Sequence, residues 1–330
     1  MDRVRALDTR IEVVYEPRLL PPPRYAADHD GHPFERSEDD ERLWVSLLAE
    51  AEVLFDFDAS HLDDLPERAP LLRWIQATSA GIGQLVAKYK FAERMAHTVF
   101  TTTSGVHAIP LAEYSLMSIL MFRRGVPKML ADQQKHRWER FSSTDLRDRS
   151  LTIVGMGSIG CEVARVASEF GMSTVGVKRT VAGVDPASLH LDALYAFDEL
   201  QTALRGAEHL VLAAPHTSET EGLIGAAELA LLAPGAIIVN VARGALVDES
   251  ALLGALRSGH LGGAALDVFR DEPLLPDSPF WTMPNVFVCS HSAGASDREN
   301  ERITDIFCEN LRRYLANEPL LNVLDPARMY

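Results

Sequence analysis

Three polar side chains in the second half of the chain could together perform acid–base chemistry. They are Arg243, Glu272 and His291, and each occurs in a short segment with glycine, proline or serine beside it. A guanidinium can hold a carboxylate through two hydrogen bonds, and a histidine can transfer a proton near neutral pH. A carboxylate beside that histidine would orient its ring and favour its protonated form. Each of the three alone could equally be a surface charge, a loop carboxylate or a buried histidine.

A glycine-rich segment predicts a binding site for the pyrophosphate of a dinucleotide. Gly155, Gly157 and Gly160 follow an apolar run at residues 151–154 and precede apolar residues at helical spacing up to Phe170. The first glycine suits a tight turn, the second lets main-chain N–H groups approach a phosphate, and the third allows close packing of helix on strand. The start of the helix would face the anion. A second strand at residues 174–177 completes a βαβ unit.

The end of that second strand predicts which nicotinamide dinucleotide binds. An acidic residue at this place accepts hydrogen bonds from the ribose hydroxyls of NAD. Here the strand ends in Lys178, Arg179 and Thr180, two cations and a hydroxyl that suit the charge of a 2′-phosphate. We therefore expect a preference for NADP(H). NAD(H) remains possible, because both cations could simply be solvated.

The order of the elements predicts an α/β fold with two doubly wound parallel-sheet domains. After the glycine turn, candidate strands at residues 209–213, 236–241, 263–268 and 286–289 alternate with helical stretches, which gives a six-stranded sheet. Weaker candidate strands at 11–14, 51–55, 72–75 and 99–102 predict a smaller domain. We expect the helix at 297–317, with Asp297 as its cap, to return to it. The prediction is a discontinuous substrate domain, 1–104 and 295–330, and a dinucleotide-binding Rossmann domain, 105–294.

Composition limits the possible partners and the compartment. A chain of 330 residues favours two domains, and its formal net charge of -15 argues against nucleic acid or an anionic membrane as a partner. No apolar run is long enough to span a bilayer, and the first residues lack the apolar core of a signal peptide. Three scattered cysteines predict neither a disulfide framework nor a metal site. We expect a cytoplasmic protein.

Motifs along nearly the whole chain resemble the D-isomer-specific 2-hydroxyacid dehydrogenase family. The matching segments, in order, are Ala77-Thr78-Ser79-Ala80-Gly81-Ile82-Gly83, Gly105-Val106 with Ala112-Glu113, the glycine turn, Val239-Asn240-Val241-Ala242-Arg243-Gly244, Ala265-Leu266-Asp267-Val268-Phe269 with Glu272-Pro273, and Asp277-Ser278-Pro279-Phe280-Trp281. The resemblance implies that Arg243 holds a 2-oxo acid, that His291 donates the proton during reduction, and that Glu272 pairs with His291.

The same resemblance implies further binding residues. The backbone N–H groups of Ala80 and Gly81 would bind the substrate carboxylate, and Ser158 and Ile159 would contact the pyrophosphate. Residues around the nicotinamide end would be Val241, Arg243, Asp267 and the segment from His291 to Gly294. Asp267 could instead be a structural carboxylate at the end of its strand.

The predicted function is hydride transfer between NADP(H) and a small 2-oxo or D-2-hydroxy acid such as glyoxylate or hydroxypyruvate. Ile82, Trp138 and Trp281 could shape the pocket, although either tryptophan could instead serve packing or dimer contact. Bulkier acids remain possible. A 3-phosphoglycerate dehydrogenase is less favoured because the chain has no room for an added regulatory domain, although short versions exist in that family. Formate is disfavoured because its dehydrogenases carry glutamine in place of Glu272.

A different class of function is a nucleotide-sensing binding protein similar to the C-terminal binding co-repressors. The sequence lacks the basic or disordered extension that would favour it. As for partners, family members are commonly homodimers. An apolar series formed by Leu116, Met117, Leu120 and Met121 would suit a dimer contact, or could be buried within one subunit.

Overall fold

Apolar runs in the second half of the chain form the strands of a parallel sheet. The computed structural model describes residues 1–29 and 31–328, and the chain divides into two units, Met1–Val106 with Ala295–Tyr330, and His107–Gly294. Within the described residues, the His107–Gly294 unit has a seven-stranded sheet. Its strands are β4 Ser150–Val154, β5 Ser173–Lys178, β6 Ala193–Ala196, β7 His209–Leu212, β8 Ala236–Asn240, β9 Leu261–Leu266 and β10 Val286–Val288.

The strand order of this sheet creates one reversal point. The order is β10-β9-β8-β7-β4-β5-β6, and every neighbouring pair is parallel. From β4 the chain proceeds outward to β5 and β6, then returns to β7 on the other side of β4 and continues to β10. The carboxyl ends of β4 and β7 therefore flank the switch point, which is where open α/β sheets bind ligands.

Helices cover both faces of the sheet because both faces are apolar. Neighbouring residues of one strand enter opposite cores: Leu210 and Leu212 pack in one cluster, and Val211 packs in the other. The helices of this unit are α6 Ala108–Arg123, α7 Val126–Gln134, α8 Ser158–Glu169, α9 Leu200–Leu204, α10 Ala226–Leu231 and α11 Glu249–Arg257, with short 3₁₀ turns at Pro186–Leu189, Phe197–Glu199, Gly244–Leu246 and Pro279–Thr282.

The predicted α/β class with two domains and parallel sheets is confirmed, but the predicted number of strands in the larger sheet is wrong. The sequence predicted six strands and missed β6. This strand has only four residues, two of them alanine, and all four are half-buried at the edge of the sheet. Such a segment has neither the continuous apolar run of a central strand nor the alternation of a half-exposed one.

The Met1–Val106 and Ala295–Tyr330 unit contains a three-stranded parallel sheet in the order β1-β2-β3. Its strands are β1 Val53–Phe55, β2 Trp74–Gln76 and β3 Val99–Thr101. Its helices are α1 Asp2–Arg5, α2 Glu38–Glu50, α3 Leu65–Arg68, α4 Gly83–Lys88, α5 Phe91–Arg94 and α12 Glu299–Leu315, with a 3₁₀ turn at Pro17–Leu19.

The last helix packs on the small sheet through an aromatic contact and a polar one. The rings of Trp74 and Phe307 stack with centroids 5.3 Å apart, and Asn310 Nδ2 donates to Gln76 Oε1 at 3.0 Å. The predicted cap is wrong: Arg298 is the N-cap residue and makes no side-chain cap hydrogen bond, because the helix begins two residues after Asp297.

The predicted strand at residues 11–14 is also wrong. Ile11 and Val13 pack against the cluster that contains Trp74 and Phe307, but the segment pairs with no strand. Its alternating pattern reflects one-sided burial without a backbone ladder. Among the described residues, no helix combines the length and the apolar character that crossing a bilayer requires.

Candidate active site

The candidate acid–base residues follow three adjacent parallel strands. β8 ends at Asn240, β9 at Leu266 and β10 at Val288, and Arg243, Glu272 and His291 lie in the segments that come next. Since neighbouring parallel strands end at the same edge of a sheet, the topology brings these segments together. The sheet itself therefore gathers residues that are far apart in the sequence.

His291 and Glu272 form a direct pair. His291 Nδ1 lies 2.8 Å from Glu272 Oε2, and the other carboxylate oxygen, Oε1, accepts a hydrogen bond from the backbone N–H of Phe269 at 2.9 Å. The carboxylate is therefore fixed by its own loop while it orients the ring. Because Nδ1 is used by Glu272, Nε2 is the ring nitrogen available for proton exchange. The His291 side chain is 48% exposed, so a ligand can reach it.

Asp267 fixes the backbone of the His291 loop. The residue is only 3% exposed, and its Oδ1 accepts hydrogen bonds from the N–H groups of Ser292 at 2.8 Å and Ala293 at 2.9 Å. Its carbonyl oxygen accepts the N–H of His291 at 2.8 Å. These bonds hold His291 at φ +52, a left-handed conformation that costs free energy for a residue with a side chain. The structural role considered for Asp267 is therefore present, and its contact with a cofactor stays a prediction.

Arg243 is half-buried beside two carboxylates. Its Nη1 donates to the carbonyl oxygen of Ala242 at 2.7 Å. Burial lowers the pKa of the Arg243 guanidinium, and the nearby charges of Glu272 and Asp267 act against that shift. Arginine stays protonated in proteins despite such effects, so the site keeps a positive charge.

The loop that carries Arg243 is fixed by Asn240 and by a glycine contact. Asn240 Nδ2 donates to the carbonyl oxygen of Arg243, and its Oδ1 accepts the N–H of Ala242, both at 3.0 Å. A Cβ built on Gly244 would lie 1.9 Å from the carbonyl carbon of Phe269, so only glycine allows this approach. The contact joins the Arg243 loop to the loop that contains Glu272. Sequence reasoning gave Gly244 no role of its own, although its position directly after the candidate residue Arg243 could have indicated one.

The glycine turn after β4 fits a pyrophosphate. Gly155 has φ +102, and a Cβ there would lie 2.4 Å from the backbone nitrogen of Ala214; a Cβ on Gly160 would lie 2.0 Å from the carbonyl oxygen of Gly155. These two glycines are required by packing. Gly157 is different, because a Cβ there would meet no atom within 4 Å and would project into open space.

The helix that follows the turn is suited to an anion. α8 has twelve residues, begins at Ser158 and Ile159, and has no side-chain cap and no acidic residue in its first turn. Its first N–H groups, together with the positive end of the helix dipole, favour a negatively charged ligand. The residues present therefore fit a dinucleotide.

The three residues predicted for the 2′-phosphate lie at the end of β5. Lys178 is its last residue and is half-buried, whereas Arg179 and Thr180 are exposed. Arg179 Nη2 lies 2.9 Å from Glu219 Oε2. Sequence reasoning missed Glu219, and no local pattern marked it, because the pair joins residues forty positions apart.

The remaining predicted residues lie in different surroundings. Val241 is buried directly after β8, and a Cβ on Gly294 would lie 3.3 Å from the His107 ring. In the other unit, Ala80 and Gly81 lie exposed in the loop after β2, and the N–H of Gly81 donates to Ser79 Oγ at 3.1 Å. A carboxylate bound by that N–H would have to replace the serine hydroxyl.

The residues considered for the pocket also differ in exposure. Ile82 is buried, Trp281 is half-exposed with its Nε1 donating to the carbonyl oxygen of Leu275, and Trp138 is 97% exposed. Within the described part of the chain, no group of three or more His, Cys, Asp or Glu side chains is arranged to hold a metal ion.

Comparison with known proteins identifies the family of this chain. The sequence model described as "D-isomer specific 2-hydroxyacid dehydrogenase, NAD binding domain" matches residues 116–293, more than half of the chain. The chain belongs to the D-isomer-specific 2-hydroxyacid dehydrogenase family. The resemblance predicted from its motifs is confirmed, and the glycine turn, Arg243, Glu272 and His291 all lie inside the matched region.

Individual members of this dehydrogenase family are similar over most of the chain. A glyoxylate reductase from Aeropyrum pernix is 33% identical over 81% of this chain and 81% of its own length. A D-3-phosphoglycerate dehydrogenase from Mycobacterium leprae is 34% identical over 83% of this chain, but the chain spans only 51% of that relative. A D-isomer specific 2-hydroxyacid dehydrogenase from Xanthobacter autotrophicus, solved with NADPH and MES, has a TM-score of 0.77 and 29% identity, with 100% of this chain and 95% of that one covered.

Proposed function

We propose that this protein is an oxidoreductase that transfers hydride between NADP(H) and a small 2-oxo or D-2-hydroxy acid. The observation that carries the proposal is the pairing of His291 with Glu272 at 2.8 Å, beside the half-buried charge of Arg243 and on the same sheet as the glycine turn. We assign the nucleotide to the His107–Gly294 unit. We assign the loop that binds the substrate carboxylate, through Ala80 and Gly81, to the other unit.

In this proposal, His291 is the acid of the reduction. When bound, a reduced nicotinamide would supply the hydride that the carbonyl carbon of the 2-oxo acid requires. His291 gives the proton on Nε2 to the carbonyl oxygen, so a hydroxyl forms and the imidazole becomes neutral. Glu272 stabilises the charged ring before the transfer and holds it in one orientation. In the oxidation direction the same nitrogen accepts the proton.

Arg243 supplies electrostatic stabilisation. Its guanidinium can bind the carboxylate and the carbonyl oxygen of one 2-oxo acid, so it both orients the substrate and favours the negative charge that develops on oxygen. Its half-buried position strengthens this effect, because the local dielectric constant is lower than that of water. Asp267, Val241 and the segment from His291 to Gly294 form the surroundings of the nicotinamide end.

The similarity to a glyoxylate reductase over four-fifths of both chains supports a small substrate such as glyoxylate or hydroxypyruvate. The similarity to phosphoglycerate dehydrogenases makes 3-phosphoglycerate a second candidate. A nucleotide sensor of the co-repressor type would bind the dinucleotide with no turnover of any acid.

The decisive experiment is a substrate panel. Purified protein is assayed at the nicotinamide absorbance with glyoxylate, hydroxypyruvate and phenylpyruvate plus NADPH or NADH, and with 3-phosphoglycerate plus the oxidised cofactors. We expect the highest kcat/KM for a small 2-oxo acid with NADPH. His291→Ala should abolish turnover while cofactor binding stays intact. Turnover of 3-phosphoglycerate alone, near-normal kcat in His291→Ala, or no turnover at all would each contradict the proposal.

The preference for NADP(H) rests on Lys178, Arg179 and Thr180. A 2′-phosphate carries nearly two negative charges, and these side chains supply two cations and a hydroxyl donor at the end of β5. NADPH in the structure of the Xanthobacter relative supports the same choice. A higher kcat/KM for NADH than for NADPH would contradict it.

We further propose a homodimer in the cytoplasm. Of the apolar series on α6, Leu116 is buried in the core, Leu120 and Met121 are half-buried, and Met117 is exposed. Met129 and Leu130 on α7 and Trp138 are exposed as well, and a second copy of the chain would cover them together with Met117. Sedimentation velocity should give twice the mass of the chain, and a monomer at micromolar concentration would contradict this. Cys161, Cys289 and Cys308 are free thiols, which suits a reducing compartment, and cell fractionation would test it.

A further inference from the structure

One ion pair lies beside the proposed nucleotide site and is not explained by the proposed chemistry. Arg179 follows β5 directly, and Glu219 lies in the loop after β7; their Nη2 and Oε2 atoms are 2.9 Å apart. In the sheet, β5 and β7 are the two neighbours of β4, whose carboxyl end carries the glycine turn. The pair therefore joins the loops on either side of the predicted dinucleotide site.

Glu219 is presented by a well-organised turn. The buried hydroxyl of Thr220 accepts the N–H of Thr217 at 2.8 Å and donates to the carbonyl oxygen of Pro215 at 2.7 Å. The N–H of Glu221 then bonds to the carbonyl oxygen of Thr217 at 3.1 Å. These hydrogen bonds fix the backbone conformation on both sides of Glu219. Its carboxylate can therefore meet the Arg179 guanidinium without first ordering a flexible loop.

We propose that Glu219 competes with the 2′-phosphate of NADP(H) for Arg179, and so determines how strongly the protein distinguishes NADP(H) from NAD(H). The inference rests on the proposed function, which assigns Arg179 to the 2′-phosphate. When NADP(H) binds, the guanidinium exchanges a carboxylate for a phosphate that carries nearly two charges. When NAD(H) binds, no group displaces Glu219 and the ion pair stays intact. Glu219 therefore lowers affinity for one cofactor and leaves the other unchanged.

The size of the effect follows from the exposure of the pair. Both side chains are largely exposed, and exposed ion pairs contribute little because solvent and salt screen them. Removal of the carboxylate charge should therefore strengthen NADPH binding by about twofold to fivefold. The effect should shrink as the salt concentration rises, since both the pair and the phosphate contact are screened.

The test compares four variants by fluorescence titration with NADPH and NADH. They are Glu219→Gln, Arg179→Ala, the double variant, and Glu162→Gln as a control. Glu162 forms an ion pair with Arg165 on α8 at 2.7 Å, so its substitution changes net charge equally without touching Arg179. We expect Glu219→Gln to lower the Kd for NADPH only. We expect Arg179→Ala to raise that Kd, and Glu219→Gln to have no effect in the Arg179→Ala background.

The outcomes separate the inference from the proposed function. If Arg179→Ala weakens NADPH binding but Glu219→Gln leaves the NADPH-to-NADH affinity ratio unchanged, the competition is refuted and the assignment of Arg179 stands. If Glu219→Gln acts equally in the Arg179→Ala background, or if Glu162→Gln acts as strongly, the effect is one of net charge and the inference fails. Weaker NADH binding in Glu219→Gln would refute it as well, because Glu219 would then bind the ribose. If Arg179→Ala leaves NADPH binding unchanged, both the assignment and the inference fail.

Discussion

Replacement of Gly244 with alanine should separate Arg243 from the loop that contains Glu272. A Cβ at Gly244 would lie 1.9 Å from the carbonyl carbon of Phe269 and 2.1 Å from its oxygen, whereas ordinary contacts begin at 3.4 Å. The two backbones must therefore move apart by about 1.5 Å, since neither clashing atom belongs to a flexible side chain. Misplacement by about 1 Å can cost on the order of a hundredfold in rate.

We therefore expect kcat for reduction to fall about a hundredfold in Gly244→Ala, with a loss of about 1–3 kcal/mol in the free energy of unfolding. Cofactor affinity should change little, because the glycine turn follows β4 rather than β8. Steady-state NADPH oxidation measures kcat, fluorescence titration measures cofactor affinity, and urea denaturation measures stability.

Gly254→Ala is the matched control. Gly254 lies within α11, and a Cβ there would meet no atom within 4 Å. Alanine should stabilise this helix by about 0.5–1 kcal/mol and leave kcat unchanged. The reasoning fails if Gly244→Ala keeps kcat within a few-fold of the unsubstituted protein. It also fails if cofactor binding is lost together with kcat, because the damage would then extend beyond the two loops.

Three further substitutions test other parts of the structure. Asp267→Ala should lower kcat at least tenfold and reduce the free energy of unfolding by about 1–3 kcal/mol, because the N–H groups of Ser292 and Ala293 lose their acceptor. Asp267→Asn keeps an acceptor oxygen and should retain more activity. Equal kcat in the two variants would contradict this role of Asp267. Gly157→Ala should leave the urea midpoint unchanged but weaken cofactor binding, since its Cβ projects into open space, and unchanged affinity would show that no pyrophosphate approaches there. His209 is fully buried, and burial lowers its pKa from 6.5 to about 4, so stability that is present above pH 6.5 should be lost as pH falls to about 4. Between pH 6.5 and pH 4, the free energy of unfolding should fall by up to about 3 kcal/mol in the unsubstituted protein and by less in His209→Gln, as measured by urea unfolding. An identical pH dependence in the unsubstituted protein and in His209→Gln would refute this role of His209.

Features that depend on neighbouring residues in the sequence could be predicted. The helix after the glycine turn was evident from the spacing of its apolar residues and the glycine that follows, and α8 occupies that segment. Buried parallel strands such as β7 and β8 are apolar apart from one residue at an end, a pattern that the sequence reveals directly. The segment at 11–14 shows the limit of this reasoning, since packing of Ile11 and Val13 against a helix gives the same alternation as a strand.

The candidate site could be predicted only in part. The residue types of Arg243, Glu272 and His291 indicated acid–base chemistry, and the strand order explains why they lie at one edge. The ion pair between Arg179 and Glu219 could not be predicted, because only the order of strands in the sheet brings its two loops together. The sequence could not decide whether Asp267 has a structural role for the same reason, because its hydrogen bonds to the His291 loop depend on the adjacency of β9 and β10.

One short segment after β9 positions both the His291 loop and the Arg243 loop. Residues 267–272 supply Asp267, which holds the backbone of the His291 loop, and Glu272, which holds the ring. The same segment supplies the Phe269 backbone against which Gly244 packs, so it also positions the Arg243 loop. The distance between the His291 ring and the Arg243 guanidinium is therefore determined by residues 267–272 rather than by three independent loops. This explains how a half-exposed histidine in a left-handed conformation keeps a defined position, and why substitutions within this segment should affect both groups together.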